Sequence, residues 1–108
     1  MDTELKKIVD MLYHQNDTLG KARFAYLDKE AERRHFESTL IQATNGKSHA
    51  ERTVGAQASE EWLEFHKRLA RLESEFEFQK LKYGILEKEF LATHLTLKLD
   101  ASTMSKGG

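Results

Sequence analysis

Between Trp62 and Leu97 one register of alternating three- and four-residue steps passes through eleven positions, and nine of them are apolar. They are Trp62, Phe65, Leu69, Leu72, Phe76, Tyr83, Leu86, Phe90 and Leu97, with Gln79 and Thr93 between them. Steps of three and four return to one side of a helix, whereas a half-buried strand needs alternation in twos. This stretch is therefore read as one long helix with a buried stripe, spanning about residues 59–99. A second block, about residues 2–45, carries the same period through Leu5, Ile8, Leu12, Leu19, Ala22, Tyr26, Phe36, Leu40 and Ala43. Its register also passes through Gln15, Lys29 and Arg33, so the stripe is interrupted. Gly20 lies inside it and weakens the helix by about 1 kcal/mol relative to alanine.

Composition supports long helices. The chain has no proline, the residue that most often punctuates loops and strand edges. It also has no cysteine, which excludes a disulfide scaffold and a cysteine-ligated zinc finger. No apolar run is long enough to span a membrane, and the acidic residues Asp2, Glu4 and Asp10 do not suit a signal peptide. A cytoplasmic location is expected, in keeping with the missing cysteine.

Residues 46–58 show no sustained period and are read as a loop, with at most one helical turn around Ala50 to Thr53. Asn45-Gly46 is expected to close the first helix as a left-handed cap. Ser59 is the expected N-cap of the second, with Glu60 and Glu61 facing the positive end of the helix dipole. Residues 101–108, ending in Gly-Gly, are expected to be a flexible tail.

The fold class that follows is all-α: two long helices in an antiparallel coiled-coil hairpin, one domain over residues 1–100. Such a pair covers only one side of each helix. Yet a second apolar stripe, Phe78, Leu81, Ile85, Leu91, Leu95 and Leu99, flanks the first on the C-terminal helix. A face that wide exceeds what a two-stranded seam needs, so the chain is expected to be a homo-oligomer or to hold a partner helix there. The polar seam residues Gln15, Lys29, Arg33, Gln79 and Thr93 are either tolerated where the core is thin or set register and oligomer number.

No catalytic constellation stands out, and neither a cofactor nor a metal site is expected. There is no glycine-rich phosphate loop, no Gly-x-Ser-x-Gly and no His-Glu-x-x-His. Glu32 and His35 share the spacing of di-iron bundle ligands, but that chemistry needs a second copy and further carboxylates, and Arg33 and Arg34 oppose a cation there. The helical pairs expected are Glu30 with Arg34, Arg33 with Glu37, and Glu64 with Arg68.

A net charge of -1 argues against a globally basic nucleic-acid binder. Folding back the chain nevertheless gathers Arg33, Arg34, Lys47, Arg52, Lys67, Arg68 and Arg71 toward the end nearest the loop, with Trp62, Phe65, Phe36 and His49 nearby. Basic side chains beside aromatics suit single-stranded nucleic acid, with phosphates on the charges and bases on the rings. Acidic neighbours dilute this patch.

Three segments carry a family resemblance: Leu27 to Arg34 (Leu-Asp-Lys-Glu-Ala-Glu-Arg-Arg), Asn45 to Ser48 followed by Arg52, and Ala58-Ser59-Glu60-Glu61-Trp62 opening an aromatic-rich helix. Together they resemble small all-helical proteins of bacteriophage recombination modules and, more loosely, the phage recombination-mediator family. The resemblance implies oligomerisation through helices and help in loading a recombinase on single-stranded DNA covered by a single-strand-binding protein. It also implies that Lys47 and Arg52 are phosphate contacts. The expected function is thus a non-enzymatic oligomeric accessory protein of phage-type DNA recombination or replication. The alternative is a protein-interaction module, such as an assembly chaperone, scaffold or small inhibitor, binding a partner helix through the Phe78 to Leu99 stripe.

Overall fold

The computed structural model describes residues 3–107, with side chains through residue 102. The described chain is all-helical. Helix α1 is Thr3–Ala43, α2 is His49–Gln57 and α3 is Glu60–Gly107, and no strand occurs among the described residues. The chain divides into two compact units: Met1–Lys21 with Glu77–Gly108, and Ala22–Phe76.

In the Ala22–Phe76 unit the helical segments of α1 and α3 run antiparallel. Tyr26 stacks on Phe76 at 5.9 Å between ring centroids, and Phe36 stacks on Phe65 at 4.2 Å, so numbering rises on one helix as it falls on the other. Phe65 and Leu69 are buried. In the other unit, Ile8 is buried and the buried amides Gln15 and Gln79 meet at 2.6 Å. The heptad register accounts for this burial. All eleven of its positions on α3 are buried or half-buried, as are those on α1 from Leu5 to Leu40. Gly20 does not interrupt α1.

The connection between the long helices differs from the loop expected for residues 46–58. It contains α2, and the local reason is Ser48-His49-Ala50-Glu51, a Ser-x-x-Glu capping pattern. The Ser48 hydroxyl accepts from the Glu51 N–H at 3.2 Å. The Glu51 carboxylate in turn accepts from the Lys47 N–H at 2.8 Å. Nor does Asn45-Gly46 form a left-handed cap, since no described residue has positive φ. Instead α1 closes with a tight turn in which the Thr44 N–H donates to the Ile41 carbonyl, and the Thr44 hydroxyl donates to the Leu40 carbonyl at 2.7 Å. Gly46 serves close approach rather than an unusual dihedral. A Cβ there would lie 2.9 Å from Arg52 Cγ and 3.0 Å from Arg52 N.

Ser59 caps α3 as expected. Its hydroxyl accepts from the Trp62 N–H at 3.3 Å and donates to the Ala56 carbonyl at 2.6 Å, so one side chain joins the end of α2 to the start of α3. Ala56 is fully buried. Helix α3 continues through Gly107, past the helix end expected near residue 99, and contains no proline to stop it. Gly108 lies outside the described residues.

Candidate functional site

Two surfaces gather the residues singled out by sequence. The first belongs to the Ala22–Phe76 unit. An open groove there is lined by Arg34, Glu37 and Gln42 of α1, His49 and Arg52 of α2, and Trp62 of α3. The unexpected helix α2 creates this groove by placing His49 and Arg52 against α1. Trp62 stacks on His66 at 4.7 Å, and the Trp62 carbonyl lies 2.8 Å from His66 Nδ1. His66 Nε2 is 3.5 Å from a Glu37 carboxylate oxygen.

The basic residues expected at this end are used differently from one another. Arg33 is held by Glu30 at 2.9 Å and Glu37 at 3.4 Å. Glu30 therefore pairs with Arg33 rather than with Arg34, while the expected Arg33–Glu37 pair forms. The hydrogen bond and charge of Glu30 raise the Arg33 pKa above its ordinary value, with Glu37 adding to the effect. Arg52 is half-buried and donates to the Gly46 carbonyl at 3.3 Å, so it is partly a structural residue. Lys47, Lys67, Arg68 and Arg71 are exposed. Glu60, Glu64, Lys67 and Arg71 share a helix face by steps of four, three and four, and Lys47, Lys67, Arg68 and Arg71 do not line the groove. Of the seven, Arg34 and Arg52 line this groove together with Trp62.

The second surface belongs to the other unit. Phe78, Leu81, Ile85, Leu91, Leu95 and Leu99 are each at least half exposed, from 50% at Ile85 to 67% at Leu99. Leu81 and Ile85 share a shallow depression with Glu77, Lys80, Gly84 and Lys88. At 100° per residue these positions fall on the side of α3 away from Tyr83 and Leu86, which occupy the seam. The C-terminal part of α3 is thus apolar on two opposed faces, and only one is covered. Lys82 reaches over the Phe78 ring at 5.5 Å without hiding it.

Sequence reasoning missed Met11, exposed beside Ile85 in a groove shared with His14 and Leu86, because it lies one step off the α1 register. Among the described residues no three side chains converge in a way that would hold a metal ion, and no helix is long and apolar enough to cross a membrane. No family model, curated protein or solved structure matches the chain.

Proposed function

We propose that this chain is a non-enzymatic helical protein that acts by association, first with copies of itself, through the second apolar face of α3. The observation that carries this reading is the set of six large side chains, each half exposed or more, opposite a face already packed. A helix apolar on two sides is stable in water only when both are covered. Among the described residues no large side chain is fully buried, so the isolated chain also gains little from its own core. Leu81→Glu with Leu95→Glu tests the reading by light scattering. The parent protein should be oligomeric at micromolar concentration and the variant smaller with its helix content retained. Equal masses for the two would count against the stripe.

A second reading has its own observation: Arg34, Arg52 and His49 line one open groove with Trp62. This arrangement suits contact with single-stranded DNA or with a DNA-bound partner, such as a recombinase or single-strand-binding protein. With the family resemblance, it makes the assembly an accessory factor of phage-type DNA recombination or replication. Arg52 also donates to the Gly46 carbonyl, so Arg34→Ala with His49→Ala is the cleaner test pair. Binding of a fluorescent single-stranded oligonucleotide should weaken steeply from low to moderate salt and weaken further in the variant. No binding at low salt removes direct DNA contact and leaves the protein-association reading in place.

A further inference from the structure

The exposed stripe on α3 has an internal symmetry that a helix meeting an unrelated partner would not need. Counted from Lys88, Ile85 and Leu91 lie three residues before and after. Gly84 and Ala92 lie four away, and Leu81 and Leu95 seven. Phe78 and Leu99 close the pattern at ten and eleven. The three inner pairs join like with like: branched aliphatics, the two smallest residues and two leucines, with Phe78 and Leu99 one residue out of register at the ends. A Cβ at Gly84 would meet nothing within 4 Å, so no neighbour in the chain fills the space above it.

From this symmetry we infer that two copies of the chain pair antiparallel through α3, about a two-fold axis passing at Lys88. The inference rests on self-association through this face and specifies its geometry. An isologous interface must be self-complementary under a two-fold rotation, and like residues at equal distances either side of Lys88 meet that condition for an antiparallel pair. A parallel in-register pair needs no such palindrome.

Under the rotation Leu81 of one copy meets Leu95 of the other, while Phe78 falls opposite Lys98, one residue from Leu99. Gly84 meets Ala92, which lets the two backbones approach closely near the axis. The one charge inside the stripe falls at its centre. There the two Lys88 side chains face each other, and Glu87 and Glu89 of the opposite copy, one residue to either side, offset their repulsion. The six large side chains expose on the order of 100 Å² each, which over two copies is about 1,200 Å², the lower bound of a specific interface.

The chain has no cysteine, so single-cysteine variants report the geometry without background. A disulfide needs Cα atoms within about 7 Å. Lys88→Cys, at an exposed position on the axis, should convert almost entirely to a linked dimer under mild oxidation. Phe78→Cys alone should not, because two copies of residue 78 would sit about 30 Å apart at 1.5 Å per residue. Leu99→Cys alone should likewise stay unlinked, whereas a mixture of Phe78→Cys and Leu99→Cys should give the mixed dimer. Self-linking of Phe78→Cys as readily as Lys88→Cys would establish a parallel pair and overturn the proposal. A dimer by light scattering in which Lys88→Cys does not link overturns the axis but leaves self-association standing. A monomeric parent protein overturns both.

Discussion

Gln15 and Gln79 show how a polar break in an apolar seam is tolerated. Both are buried, and the Gln15 amide donates to the Gln79 side-chain oxygen at 2.6 Å, with the Gln79 backbone carbonyl at 3.4 Å. Gln79→Leu alone should cost about 1–3 kcal/mol in urea unfolding, because the buried Gln15 amide loses its side-chain acceptor. The double change Gln15→Leu with Gln79→Leu should be close to neutral, since both polar groups leave together. A double-variant loss equal to the sum of the two single losses would show that the pair is not coupled. Lys29 and Arg33 solve the same problem at the seam's edge. Lys29 lies 4.8 Å over the Phe65 ring and pairs with Glu32, while Arg33 pairs with Glu30 and Glu37. A base whose folded pKa is raised contributes its stability at every pH below its unfolded pKa. The Arg33 contribution is therefore constant through the neutral range on the arginine side, and is lost only in strong base.

Among the elements, α2 depends most on individual residues. Ser48→Ala removes its N-cap and should destabilise the Ala22–Phe76 unit by about 1 kcal/mol, with Ser59→Ala similar at α3. The four described glycines short of the end of α3 divide by surroundings. Gly20 has open space around it, so Gly20→Ala should raise stability by about 1 kcal/mol. A Cβ on Gly55 would stand 2.8 Å from Thr44 Cγ2, and the Thr44 hydroxyl is tied to the Leu40 carbonyl. Gly55→Ala should therefore gain less than Gly20→Ala, or lose stability, in thermal unfolding. An equal gain at both sites would mean that α2 does not press on Thr44. The long helices were readable in the sequence because a stripe repeated through eleven positions leaves little choice. Helix α2 was not, because nine residues hold too few apolar positions to show a period. Its signal was the Ser48 to Glu51 capping pattern, which is local and chemical rather than periodic. The groove inherits that limit: Arg34 and Trp62 could be placed near one end of the fold, but their meeting with His49 and Arg52 depends on α2.

For the whole molecule, the balance of charge and apolar surface sets the account. Charge that looked available on Arg33 is largely committed within the fold, whereas the apolar surface between Phe78 and Leu99 is not. That asymmetry is why association through α3 stands ahead of nucleic-acid contact as the proposed role. Self-association shows directly in the mass of the chain in solution. Sedimentation equilibrium of the unmodified chain, whose monomer is 12.5 kDa, should give twice that value or a higher multiple at micromolar concentration, falling toward the monomer on dilution. A single species at 12.5 kDa across that range would contradict it.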